Sequence, residues 1–333
     1  MVAEDTQTSV LNSSLITHHS SLPEVPLLLF DGASKWYGSV LALNQVTLEL
    51  RGGITGLVGA NGAGKSTLIK LATGQIRPTL GSVQVDGVPA WDWRARRLVG
   101  YCPDHDSFYE DLSGREFVRT LARLSGFPRG EANDLTDSLL NRVGMTDRAD
   151  RKLRGYSKGM RQRIKLAQAL ITDPALLVLD EPLSGIDPVG RQDLLALFRS
   201  LSDQGKCLLI SSHELEELEK LTNHVAVMAR GRIAAVGTLE QIRSRLDDFP
   251  TTLRIEVADV RRVATLLLSL NTVTGVDVES ESTVIVRAEH PQRFFADFGE
   301  LVVREKIDVE RLEPLDDSAH AILGYLLGGS GKT

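Results

Sequence analysis

Gly59, Gly64, Lys65 and Ser66 fit the spacing G-x-x-x-x-G-K-[ST] without a gap, and the chemistry that spacing serves is the holding of a polyphosphate. The run Gly59-Ala60-Asn61-Gly62-Ala63-Gly64 can take tight positive-φ turns that aim successive N–H groups inward. A helix beginning at Lys65 adds free N–H groups and a positive dipole end. Asn61, Gly62, Ala63, Gly64 and Thr67 belong to this cradle, Lys65 reaches the outer phosphates, and Ser66 offers a hydroxyl to Mg²⁺. A second group follows the apolar run Ala175 to Leu179, which reads as a strand buried on both faces and delivers Asp180 and Glu181 at its carboxyl end. Two adjacent acids there suit a carboxylate that holds Mg²⁺, mostly through water, and one that orients or deprotonates an attacking water. His213 ends another strand at the same edge, within reach of a terminal phosphate. Ser157 caps a further helix, so Ser157, Gly159 and its free amides make a second potential anion site, although Ser-x-Gly before a helix is also an ordinary cap.

The elements that position these groups can be followed along the chain. Residues 27–51 read as two strands joined through Lys35-Trp36-Tyr37-Gly38, and Tyr37 there reads equally as a stacking platform for a base and as turn packing. Strands follow at 82–85 and 98–102. Ser113 and Glu116 form a capping box ahead of Phe117, Leu121 and Leu124 at helical spacing, and another helix is expected over 132–143. Met160 to Ile171 is strongly helical, and Cys207 to Ser211 is a strand followed by the acidic helix start Glu214 to Glu219. Strands near 225–228 and 233–236 and a helix capped by Thr238 and Gln241 close this region. From Thr252 the order becomes β-α-β-β-α-β, the ferredoxin-like plan, with no catalytic constellation, which reads as a regulatory or dimer-forming appendage. The terminal Gly328 to Thr333 mimics a phosphate loop, but Leu326 stands at its first glycine position and no helix follows, so it reads as a flexible tail.

At 333 residues the chain exceeds the length at which one core stops growing, so two domains are expected. A net charge of −6 argues against a generally nucleic-acid-binding surface, and no nucleic-acid partner is expected. Cys102 and Cys207 sit in apolar, strand-like surroundings and read as buried thiols. Residues 1–26 lack a basic or apolar signal region and read as a disordered tail. No apolar run approaches the length of a spanning helix, so a membrane role requires a partner.

With Gly59 to Thr67, the Ser157-x-Gly159 helix start, Leu176 to Glu181, Ser184-Gly185-Ile186-Asp187 and His213 all in order, residues 28–246 resemble the nucleotide-binding subunit of an ATP-binding cassette (ABC) transporter. The resemblance implies an α/β fold, a P-loop NTPase cassette over 27–247 with a helical insertion at about 104–172, followed by a small α+β ferredoxin-like domain over 252–328. It implies ATP and Mg²⁺, Tyr37 as the aromatic stacked on adenine, Gly155 to Gly159 as the signature stretch, Ser184 to Asp187 as a dimer-contacting loop and His213 as the switch histidine. It also implies two copies facing head to tail around two ATP molecules, a separate transmembrane permease, and a place on the inner face of the cell membrane through that permease. Two departures stand out. Asp104 takes the position of a usual glutamine, offering Mg²⁺ a hard oxygen but no amide donor, and Tyr156-Ser157-Lys158-Gly159-Met160 replaces Leu-Ser-Gly-Gly-Gln. Lys158 there either adds charge to the anion site or lies on a solvated helix start. Gly53 to Leu57 and the signature look like the subgroup that exports drugs, antibiotics, polysaccharides or lipids, with Phe108 and Tyr109 either touching the membrane subunit or packing within the insertion. The rival is a soluble ATP-switched cassette acting on ribosomes or DNA. Such relatives carry two cassettes or a long coiled coil, and this chain has neither pattern. A non-enzymatic adaptor is disfavoured by the presence of both Glu181 and His213.

Overall fold

The computed structural model describes residues 25–213, 215–244 and 251–315. The expected N-terminal tail up to residue 24, the cassette's end at 247, and residues 316–333 with the glycine-rich terminus lie outside them.

Among the described residues two sheets build residues 28–238. One is antiparallel, formed by β1 (Leu28–Tyr37), β2 (Val40–Leu50), β4 (Leu80–Val85) and β5 (Val88–Pro89) in the order β2-β1-β4-β5. The other contains β3 (Ile54–Val58), β6 (Val99–Cys102), β7 (Leu176–Asp180), β8 (Cys207–Ser212), β9 (His224–Ala229) and β10 (Arg232–Thr238), in the order β10-β9-β3-β8-β7-β6. Its strands are parallel apart from β10, which pairs antiparallel with β9. Strand alternation sends successive side chains into two cores. Leu57, Leu176, Val178, Leu209 and Met228 face one that also takes Leu68, Ile69 and Leu71 of α1 (Lys65–Ala72) and the antiparallel sheet. Val58, Leu177, Leu179, Ile210 and Val227 face the other. Burial on both faces is why β7 is apolar without interruption until Asp180.

The second core is closed by helices. α2 (Trp93–Arg97) precedes β6, and between β6 and β7 lie α3 (Gly114–Leu124), α4 (Arg129–Arg142) and α5 (Lys158–Ala169). The Ser113–Glu116 capping box starts α3 with both of its reciprocal bonds. α4 begins at Arg129 rather than near Ala132, because Pro128 at φ −58° stands at its N-cap and leads directly into the helix. α6 (Pro188–Asp203) starts from Asp187, whose carboxylate accepts from Gly190 N, and its fully buried Phe198 contributes about 1.5–3 kcal/mol of burial. α7 (Leu215–Glu219) follows β8. Thr238 and Gln241 exchange backbone–side-chain bonds at the start of α8 (Leu239–Ser244).

The third sheet joins β11 (Thr251–Val257), β12 (Val273–Val278), β13 (Thr283–Ala288) and β14 (Val309–Pro314) in the order β12-β13-β11-β14, all antiparallel. α9 (Val260–Leu267) and α10 (Pro291–Glu305) pack with it around Leu253, Ile255, Val284, Val286 and the stacked pair Phe294–Phe298.

Candidate nucleotide site

Gly64 caps α1 from a left-handed φ of 106° with no side chain bonded across the helix start, which leaves the amides of Lys65 and Ser66 to an outside anion while those of Thr67 and Leu68 turn back to the Gly64 carbonyl. A Cβ there would lie 2.9 Å from the Leu43 and Met228 side-chain ends and 3.0 Å from the Ala42 carbonyl, and the positive φ itself requires glycine. Lys65 is buried, its Nζ donating to the Gly59 carbonyl at 2.5 Å and standing 3.7 Å from Glu181 Oε1. Ser66 is exposed beside it.

The two acids at the end of β7 share one organiser. Asp180 pairs in register with Ser211 on β8. The fully buried Ser211 Oγ donates to Asp180 Oδ1 at 2.7 Å and accepts from Glu181 N at 2.9 Å. Glu181 itself holds φ 48°, and its Oε2 lies 2.8 Å from His213 Nδ1. Burial pushes the Asp180 carboxyl above the ordinary carboxylate range. The Ser211 bond pulls it down, the charges of Asp104 and Glu181 add to the rise, and Lys65 opposes it.

Asn61, Gly62, Gly64, Lys65, Ser66, Thr67, Asp104, Asp180 and Glu181 line a single cleft of about 1160 Å³. Ala63 is buried under it, its carbonyl accepting from Gly231 N at 2.8 Å. His213 reaches the site through Glu181. Ser157 and Gly159 do not line the cleft: Ser157 Oγ caps α5 by accepting from Met160 N, and Gly159 faces Ile186 and Asp187. The Lys158 stem lies over Gly185, so the signature stretch and the Ser184–Asp187 loop form one surface. Tyr37, at the end of β1, is 45% exposed and stands outside the cleft lining, with Lys35 Nζ 5.6 Å from its ring centre. Phe108 turns inward against Phe117, ring centres 5.1 Å apart, whereas Tyr109 is 73% exposed.

The family model described as ABC transporter matches residues 43–184. An uncharacterized ABC transporter ATP-binding protein of Nostoc sp. is 39% identical over 218 residues, 62% of this chain and 65% of that protein. The daunorubicin resistance ATP-binding protein DrrA3 of Streptomyces coeruleorubidus is 34% identical over 258 residues, which cover 77% of this chain and 81% of that protein. This chain belongs to the ABC transporter ATP-binding proteins. A solved structure described as an ATP binding subunit of an ABC transporter has the same cassette, with a TM-score of 0.61 and 31% identity, covering 66% of this chain and 93% of that one.

The ABC cassette also contains groups that local motifs pass over. Lys165 on α5 is buried, donates to the Asp104 carbonyl at 2.8 Å and pairs with Asp106 Oδ1 at 3.1 Å, tying the helix that starts at the signature to the Asp104 segment. Its signal is a lysine on the apolar face of an amphipathic helix. Arg161 makes a two-pronged pair with Glu110 at 2.7 and 2.9 Å. Ser211, two residues before His213, is visible only as a small polar residue at a strand end. For Mg²⁺, the Ser66 hydroxyl and the Asp180 and Asp104 carboxylates are the hard oxygen donors that the sequence reading singles out, and all three residues line the cleft. Among the described residues no three of His, Cys, Asp and Glu converge as a metal cluster.

Proposed function

We propose that this ABC subunit binds ATP with Mg²⁺ in the cleft, hydrolyses it, and by closing on a second copy drives a separate membrane-spanning permease in the direction of export. The observation that carries the reading is Glu181, set between Lys65 and His213 at the carboxyl edge of the parallel sheet. Catalysis of this kind is positioning and charge stabilisation. Glu181 orients and polarises the attacking water, and His213 holds Glu181 and senses the γ-phosphate. Lys65 leaves its ion pair with Glu181 for the phosphate, where it and the phosphate-loop amides left open, those of Lys65 and Ser66 among them, hold the developing charge. Ser66 and Asp180 hold Mg²⁺, with Asp104 as a third oxygen donor, and the ion when bound offsets charge on the phosphate oxygens.

The phosphate loop grips from one side, and the Ser157–Gly159 helix start of a second copy covers the other; the exposure of that surface beside the Ser184–Asp187 loop supports a head-to-tail pair. Tyr37 stacks on the base, a reading supported by its pairing in register with Val40, which lines the cleft. The drug-resistance name of the DrrA3 relative supports export. Among the described residues no helix is long and apolar enough to cross a membrane, so the subunit sits on the inner membrane face through its permease, with Tyr109 rather than Phe108 turned toward it. Residues 27–247 form the cassette and 252–328 an accessory ferredoxin-like unit, a reading supported by the antiparallel order β12-β13-β11-β14 with its two helices. Purification of the tagged chain from detergent-solubilised membranes should bring a stoichiometric polytopic membrane protein and an ATPase activity that EDTA abolishes. Ribosomal proteins or DNA in its place would refute the transport reading.

A further inference from the structure

β6 ends at Cys102, and residues 103–108 then belong to no helix or strand although Pro103, Asp104, His105 and Ser107 line the cleft. Among the described residues the main chain of 104–108 makes no hydrogen bond to other main chain. Side chains of α5 hold this segment instead. Gln162 Nε2 donates to Cys102 Sγ at 3.1 Å, and Lys165 Nζ donates to the Asp104 carbonyl at 2.8 Å while standing 3.1 Å from Asp106 Oδ1. The Arg161 guanidinium lies 5.7 Å from the Phe108 ring centre and pairs with Glu110. Three side chains of one helix thus take every second residue from 102 to 110, the period of an extended chain. Within this strap the Lys165 bond is the one that grips the main chain at Asp104. The Asp104 carboxylate is not fixed by its own contacts: among the described residues no hydrogen bond holds it, and its ion-pair partner is the ring of His105, 3.6 Å away and 96% exposed. Lys165 is only 5% exposed, and a buried ammonium is costly unless paired, so an aliphatic side chain would serve better if packing were its task.

We propose that Lys165 is a positioning residue for the metal, its ammonium fixing the main chain at Asp104 so that the Asp104 carboxylate is presented to the Mg²⁺ of a bound nucleotide. The inference rests on the nucleotide reading above and on Asp104 as a metal oxygen, and it adds what holds that oxygen in place. Loss of a group that orients a metal-binding carboxylate costs about 10–100-fold in metal affinity, so the effect is large enough to measure. It reaches the metal through Asp104 alone, because Lys165 touches neither Ser66 nor Asp180.

The test is calorimetric binding to the full chain of AMP-PNP, an ATP analogue that is not hydrolysed, in EDTA and in excess Mg²⁺; the ratio of the two affinities is the gain from the metal. Lys165→Met, which keeps the aliphatic stem, is expected to lower that gain about tenfold and leave the affinity in EDTA unchanged. Asp104→Ala is expected to lower it by a similar factor, and the double variant to be no worse than either single one, since the two act through the same oxygen. Lys165→Arg, which keeps the cation and its donors, recovers most of the gain. Asp106→Asn, at an exposed position that needs no repacking, is expected to show a smaller loss that disappears beside Asp104→Ala, which provides the same test should Lys165→Met not fold. Equal losses in EDTA and in Mg²⁺ would make Lys165 a packing residue and overturn the proposal, as would additive losses in the double variant or a wild-type gain in Lys165→Met beside a defective Asp104→Ala. A wild-type gain in Asp104→Ala would remove Asp104 from the metal and this inference with it, whereas wild-type protein that binds AMP-PNP in neither condition would overturn the nucleotide reading itself.

Discussion

Ser211→Ala removes one oxygen and is expected to disable the site without touching the phosphate loop. The hydroxyl is fully buried, donates to Asp180 Oδ1 at 2.7 Å and accepts from Glu181 N at 2.9 Å, so its loss leaves a buried carboxylate oxygen and a part-buried amide without that partner. An unsatisfied buried group costs about 1–3 kcal/mol, and two of them, partly relieved by water, destabilise the fold by about 2–4 kcal/mol. The chemical effect is separate. Ser211 is the largest influence holding the Asp180 carboxyl down against burial, so the variant carries Asp180 with a higher pKa and a looser rotamer. Removing the partner of a metal-binding carboxylate costs about 10–100-fold in metal affinity. Glu181, at φ 48°, also loses the bond that fixes its backbone. The assay is ATP hydrolysis titrated with Mg²⁺, beside ATP binding in EDTA and urea denaturation. The expected result is a Mg²⁺ activation constant raised at least about tenfold, a lowered urea midpoint, and an unchanged ATP affinity in EDTA. An unchanged Mg²⁺ requirement at normal stability would show that Ser211 does not organise the acids.

Other perturbations probe the remaining parts. Glu181→Gln keeps the shape but removes the charge facing Lys65, so the chain should bind ATP, stay trapped as a closed dimer on size exclusion, and lose about two orders of magnitude or more in phosphate release; wild-type turnover would take Glu181 out of the mechanism. Burial pushes the Cys102 and Cys207 thiols up to about 12. At pH 8 the thiolate fraction is therefore about one in ten thousand, rising about tenfold per pH unit towards 12. Iodoacetamide at pH 8 should label neither cysteine until urea unfolds the chain, and labelling of the folded protein at the rate of a free thiol would refute the packing. Gly100→Ala drives a methyl into the Ala169 carbonyl at the end of α5, which should lower the urea midpoint by the equivalent of about 1–3 kcal/mol, an effect that an unchanged midpoint would rule out.

What could be read from the sequence is what short-range spacing encodes. The phosphate loop is contiguous, and its requirement for glycine and lysine at fixed offsets survives any tertiary context. The same is true of the Ser113–Glu116 and Thr238–Gln241 caps, whose partners lie three residues apart. The run Ala175 to Leu179 reads as a doubly buried strand because it is apolar without alternation and too short for a buried helix, and the acids at its end mark its carboxyl edge. The α4 start is harder, since Arg129-Gly130 is polar and weakly helical, and only the preceding proline at the N-cap sets it. The residues that escaped notice share one property: their partners come from strands or helices distant in the chain. Ser211 meets Asp180 because β7 and β8 are neighbours in a sheet ordered β10-β9-β3-β8-β7-β6, and Gly231 meets Ala63 and Asn44 because β10 packs beside β2. Lys165 meets Asp104 because α5 lies along β6. None of these pairings has a local signature, yet each supports a residue that does. A strand-end acid or a loop lysine can be identified by its own spacing, but the hydroxyl or ammonium that ties down such a segment is identified only by the order in which the strands and helices assemble.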